Sequence, residues 1–222
     1  NLDSWLQSFA SLPVRDVKPW NDCGFTSLVN DSLFIYDLNR SKAPQFLQSF
    51  PGLEAVSVNR FSNPYLLSLC GSQFGNSGVA LLDLRSGGNN GNLYIPDCNN
   101  GTSPHIRSVN NYSHHDCTWI DEYHLANCVG DTVKIWDIRS TGGEAQCDIL
   151  PMKGCIESLT YNSDYKTLYT GDDQGNIISW DLTGLGSMKK GTLAQGFNSI
   201  LVQDTQELLH DVSQCGNIIV NG

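Results

Sequence analysis

The apolar residues of this chain fall in short runs, each closed within a few positions by Gly, Asn, Asp, Ser or Pro. Such runs, rich in β-branched and aromatic residues and bounded by turn formers, predict strands. From Val56 to Asp83 the order is a strand at Ala55–Asn59, a turn at Ser62-Asn63-Pro64, a strand at Tyr65–Cys70, a Gly/Ser/Asn connection and a strand at Gly78–Leu84. From Ile156 to Asp181 the same order recurs: Glu157–Tyr161, a turn at Asn162–Lys166, Thr167–Thr170, a turn at Asp172–Gly175, and Asn176–Asp181.

This recurrence extends along the chain. SLFIYDLNR (Ser32–Arg40), GVALLDLRS (Gly78–Ser86), TVKIWDIRS (Thr132–Ser140), NIISWDLTG (Asn176–Gly184) and a terminal NIIVNG (Asn217–Gly222) share an apolar run closing on an aromatic or apolar residue and usually Asp. The residue before that Asp is Tyr36, Leu82, Trp136, Trp180 and finally Asn221, at spacings of 46, 54, 44 and 41 residues. Such a period fits one four-stranded unit per repeat. Trp5-Leu6-Gln7-Ser8-Phe9 also matches Phe46-Leu47-Gln48-Ser49-Phe50, which follows the Tyr36-Asp37 strand. The chain is therefore expected to open on an outer strand and to stop within the third strand of its last unit. Units run roughly over 4–40, 41–86, 87–140, 141–184 and 185–222, and loops at Ser86–Asn92 and Asn99–Ser103 lengthen the second and third.

Ile135-Trp136-Asp137 and Ser179-Trp180-Asp181, each after a Gly/Asp turn, carry a resemblance to the WD-repeat (WD40) family over nearly the whole chain. The resemblance implies an all-β fold, a WD40-type β-propeller of four-stranded antiparallel blades, with residues 1–222 as one domain. It departs from the family in lacking a Gly-His pair before each inner strand and in having Tyr36 and Leu82 where Trp is usual. Five units are fewer than the family's usual seven blades. The expectation is thus part of a larger ring, completed by further blades or by a partner, over a closed five-unit ring in which Ser4–Phe9 pairs with Asn217–Val220.

Composition narrows the class. Charged residues make up 16% of the 222 residues, below the roughly 25% of soluble domains, and Gly supplies 21 positions, which suits short strands and tight turns over helical bundles. The net charge of −10 argues against duplex nucleic acid as a main ligand, since gripping phosphates needs a basic footprint. No apolar run is long enough for a membrane-spanning helix. The eight cysteines are scattered without CxxC, which favours buried free thiols and a cytoplasmic or nuclear compartment. Sequons at Asn30, Asn100 and Asn111 are weak signals in an Asn-rich chain.

Metal-ligand types concentrate at His114-His115-Asp116-Cys117, with His124 and Cys128 downstream, but none of the usual zinc spacings is present. Catalytic patterns are equally thin. A Cys with His124 or His210 has no supporting motif, Asp172-Asp173 reads as a turn, and Gly87–Asn92 lacks the Lys of a phosphate cradle. No catalytic residue and no cofactor are assigned.

Asp83-Leu84-Arg85 and Asp137-Ile138-Arg139 repeat an Asp-x-Arg pair in neighbouring units. Residues two apart on a strand share a face, so each Arg can brace its own Asp or meet a partner carboxylate. The pair resembles the double motif with which substrate receptors of cullin-4 ubiquitin ligases dock on their adaptor. Trp20, Tyr112, Trp119 and Tyr123 lie outside the repeated aromatic position, and the two Trp are expected in the core. The expectation is a non-enzymatic scaffold that binds other proteins, including ones with basic segments, through loops and the channel rim. Its alternatives are a cullin-4-type receptor and a propeller enzyme with a metal near His115/Cys117.

Overall fold

The computed structural model describes residues 12–37, 39, 45–85, 92–94, 115–140, 147–149, 154–187, 192–193, 199–204, 212–215 and 218–221. They form four antiparallel blades and a terminal hairpin. The first blade is β1 (Val14–Asn21), β2 (Gly24–Val29), β3 (Ser32–Asp37) and β4 (Gln45–Ser49), in that spatial order. The second is β5 (Leu53–Val58), β6 (Leu66–Gly71), β7 (Val79–Asp83) and β8 (Asn92–Tyr94). The third is β9 (Cys117–Trp119), β10 (His124–Val129), β11 (Thr132–Asp137) and β12 (Cys147–Ile149). The fourth begins with β13 (Ile156–Asn162), β14 (Thr167–Asp172) and β15 (Asn176–Asp181). After β16 (Thr192–Leu193), which pairs in parallel with β12, it is completed by β17 (Ser199–Asp204). The hairpin is β18 (Val212–Cys215) with β19 (Ile218–Asn221). Ser4–Phe9, and with it the proposed ring-closing pair, lies outside the described residues, and the described strands do not close a ring.

One expectation is corrected. In the second, third and fourth blades the inner strand contacts the first two strands of the blade before it: β5 meets β1 and β2, β9 meets β5 and β6, and β13 meets β9 and β10. By that rule β18, which meets β13 and β14, is an inner strand. Ile218–Asn221 is then a second strand, so NIIVNG does not occupy the third-strand position and Asn221 is not the counterpart of Trp180. The middle strands of a blade are both apolar on two faces, which makes their sequences interchangeable.

The core lies between blades. Along β7, Ala80 and Leu82 point into a cluster with Trp20, Leu28, Leu33 and Phe50 of the first blade, while Val79 and Leu81 point into one with Cys117, Trp119 and Leu125 of the third. Along β10, Leu125 joins that second cluster, and Ala126 and Cys128 join a third with Ile156, Leu159 and Trp180. Alternate side chains of one strand thus feed two cores, which is why these strands are buried at nearly every position.

The third-strand aromatics tie each blade internally. Trp136 Nε1 donates to Asn127 Oδ1 at 2.7 Å and Trp180 Nε1 to Thr170 Oγ1 at 3.1 Å. At the same positions Leu82 packs into the core, and half-buried Tyr36 stacks on Phe25 with centroids 4.3 Å apart. The second-to-third-strand turns also repeat, each with one residue in the left-handed region: Asn30, Gly78, Gly130 and Gly175.

Asn127 is fully buried, and its Nδ2 also reaches Ser77 O of the second blade at 2.9 Å. Asn127→Ala strands buried polar groups in two blades and is expected to cost about 2–4 kcal/mol. Thr170→Val orphans only the Trp180 N–H and should cost about 1–2 kcal/mol. Urea midpoints at constant m-value check both; equal losses would contradict the inter-blade role of Asn127.

Candidate interaction surface

A propeller's inner strands are edge strands, and half of their N–H groups have no ladder partner. Two carboxylates fill that gap across blades. Asp16 Oδ2 accepts the Val56 N–H at 3.1 Å, from the first blade to the second, and Asp116 Oδ2 accepts the Leu159 N–H at 2.8 Å, from the third to the fourth. Burial pushes the Asp116 carboxyl up to about 6 against the partial offset of Lys18, and burial also raises Asp16 despite the Lys18 ammonium 3.4 Å away.

The first-to-second-strand turns lie together at one end of the blades. Trp20 Nε1 donates to Pro64 O at 2.6 Å, Arg60 to Pro19 O at 3.2 Å, and Asn59 Nδ2 to Glu122 O at 3.2 Å, linking the turns of the first three blades. Tyr161 of the fourth blade is raised to about 12 by burial and by the Asp121 carboxylate of the third. Each turn opens on an Asn or Asp whose side chain accepts the next N–H groups: Asn21 from Cys23, Asn59 from Phe61 and Ser62, Asp121 from Tyr123 and His124, and Asn162 from Asp164 and Tyr165. This Asx geometry fixes the turn independently of the side chains it displays. Phe61, Tyr65, Tyr123 and Tyr165 are displayed there, with Tyr165 58% exposed.

Both Asp-x-Arg pairs end at this face and fold back on themselves. Arg85 Nε and Nη2 reach the Asp83 carboxylate at 3.1 and 2.8 Å, and Arg139 makes the same fork on Asp137 at 2.9 and 2.8 Å. The arginine holds each aspartate below the usual carboxylate range. Both guanidinium groups remain more than half exposed, and Arg139 lies 4.3 Å over the Tyr123 ring. In the fourth blade Asp181 accepts the Thr183 N–H in place of an arginine.

His115, Cys117 and His124 do not converge. His115 Nε2 lies 3.6 Å from Glu157, His124 Nδ1 lies 2.7 Å from Asp121 at the turn end, and Cys117 is buried against Ser68 of the second blade. Burial pushes the Cys70 and Cys128 thiols well up, and among the described residues no three His, Cys, Asp or Glu side chains form a metal-holding group. Among the described residues, His115 and Cys117 therefore do not form a metal site. His114, Tyr112 and His210 lie outside the described residues. Asp172 and Asp173 hold backbone, the first accepting from Gln174 and Asn176 and the second from Cys155. Trp20 and Trp119 are buried as expected, and Tyr123 is exposed. The Asx turns were missed, although an Asn or Asp two or three residues before an aromatic between strands marks three of them in the sequence.

The Asp116 carboxyl titrates near 6 in the fold against the ordinary 3.8, so the folded chain keeps a proton that the unfolded chain has released between those values. Its contribution favours the fold most below pH 3.8 and is lost as pH rises through 6, by roughly 3 kcal/mol at most. Asp116→Asn has no such proton to release. The stability of the wild type relative to this variant should therefore rise as pH falls from 7 to 4 in urea titrations, and a pH-independent difference would refute the assignment.

Across residues 2–222 the chain matches the family described as the DSE1 N-terminal domain. It is 48% identical to Protein DSE1 of Saccharomyces cerevisiae over 95% of this chain, and it spans 38% of that relative's length. A partial likeness, 27% over 36% of this chain and 18% of the relative, reaches DDB1- and CUL4-associated factor 10 of Xenopus tropicalis. Among solved structures it is similar to the WD40 β-propeller domain of Doa1, with a TM-score of 0.62 at 11% identity over 91% of this chain and 58% of that one. The four blades and hairpin correspond to part of such a propeller. The chain belongs to the DSE1 N-terminal domain family and has the WD40 β-propeller fold.

Proposed function

We propose that this domain is a non-enzymatic platform that assembles other proteins into a complex, working in the cytoplasm or nucleus. The carrying observation is the set of bonds between blades, Asp16 to Val56, Asn127 to Ser77 and Asp116 to Leu159, which fix the blades to one another. Loops held this way meet a partner with little ordering entropy left to lose. The propeller fold, typical of non-enzymatic proteins, supports the same reading. Buried free thiols at Cys70, Cys117 and Cys128 support a reducing compartment. No helix among the described residues is long and apolar enough to cross a membrane.

A second reading, a substrate receptor of a cullin-4-type ligase, is favoured by the exposed Arg85 and Arg139 in adjacent blades and by the partial likeness to DDB1- and CUL4-associated factor 10. Each guanidinium keeps donors beyond those its own Asp takes, enough for a partner carboxylate.

Affinity purification of the full-length protein from its native source, with crosslinking mass spectrometry, should recover proteins crosslinked to the blade loops. Absence of any partner would overturn the platform. Arg85→Ala with Arg139→Ala should shift stability by less than about 1 kcal/mol, since both pairs are exposed. Loss of a cullin adaptor from the purified complex in this variant would promote the second reading, and an unchanged partner set would remove it.

A further inference from the structure

We propose that the mouth formed by the first-to-second-strand turns of the second, third and fourth blades binds a lysine- or arginine-bearing segment of a partner protein. This rests on the platform reading and names the face and the chemistry of what it holds.

The exposed large apolar side chains among the described residues divide sharply. Leu12, Val14 and Val17 lie at the first blade's inner strand, and Phe61, Tyr65, Tyr123 and Tyr165 lie in these turns. Leu12 and Val14 flank Pro13, whose carbonyl accepts the Asn30 N–H at the opposite end, so the exposed apolar residues there are aliphatic. The exposed group at the mouth is thus entirely aromatic, and three of its rings sit on or beside residues whose N–H groups are pinned by Asn59, Asp121 or Asn162. Rings held this way form a contact surface that pays little entropy on binding.

Charge selects the occupant. Exposed Glu122 precedes Tyr123, exposed Asp164 precedes Tyr165, and exposed Asp22 and half-exposed Asp121 add to them. Against these stand Arg60, which bonds Pro19 O, and Lys166, while Arg85 and Arg139 are matched by their own aspartates. An anionic segment would meet net repulsion, and an aliphatic helix would find no contiguous aliphatic surface. A cation finds π-faces flanked by carboxylates, each face adding attraction that grows as water is excluded. The chain supplies its own example in the Arg139 guanidinium over the Tyr123 ring.

The test uses full-length protein and fluorescence anisotropy with a labelled peptide alternating Arg and Lys with Gly and Ser, beside a twin carrying Glu for every cation. The cationic peptide should bind, more weakly as sodium chloride rises from about 50 to about 300 mM, and the Glu twin should not. Tyr123→Leu with Tyr165→Leu keeps charge and apolar bulk but removes two π-faces, and should weaken binding about five- to tenfold. Asp31→Asn, in a turn at the opposite end, should change it less than about twofold. Melting curves confirm that each variant is folded. The proposal falls if the cationic peptide does not bind, if the tyrosine variant binds it as well as wild type, or if Asp31→Asn abolishes binding. Should it fall while crosslinked partners persist, the platform reading stands; absence of every partner would remove the platform itself.

Discussion

A blade of this protein has no dry side of its own. Leu82 and Leu81, neighbours on one strand, enter different cores, one shared with the first blade and one with the third. Each sheet therefore depends on a neighbour at either face, and the domain's stability accumulates as a series of contacts between adjacent blades. The same constraint accounts for the composition. Strands buried on two faces leave few places for charge, which concentrates in turns and along the inner edge.

Polar bonds set the blades in register where apolar packing alone would let them slide. Asn127, Asp16 and Asp116 each reach from one blade to backbone of another, and Trp20 and Trp119 do so with their indole N–H groups. Directional bonds between close-packed layers leave little freedom for relative motion. The turns that grow from these strands inherit that rigidity. Their Asx bonds then fix the local backbone, so that the exposed Tyr123 and Tyr165 are presented by a stiff support.

The Asp-x-Arg pairs illustrate how one motif serves structure while remaining available to a partner. Asp137 takes two arms of the Arg139 guanidinium, and the Tyr123 ring lies under the same group. What remains outward is a positioned cation more than half exposed. Arg85 repeats the same fork on Asp83 one blade earlier.

The chain's own residues determined the strands and their period. Trp136 and Trp180 mark third strands because each closes an apolar run before Asp and is buried between blades, and β5, β6 and β7 fall where the turn formers around them require. The Asp-x-Arg brace was legible in its repeated spacing, although Arg85 and Arg139 stand in the turns just past β7 and β11, where each backbone N–H also bonds the Asp, and not on the strands themselves. Tertiary structure alone decided the role of Ile218–Asn221, because a strand apolar on both faces can stand second or third, and only the contacts of β18 with β13 and β14 settle its place. It also decided that His115, Cys117 and His124 do not meet. Their separation comes from where the elements place them: His115 stands before β9 and faces Glu157 of the fourth blade, Cys117 packs on Ser68 of the second, and His124 is held by Asp121 at the turn, none of which sequence spacing shows.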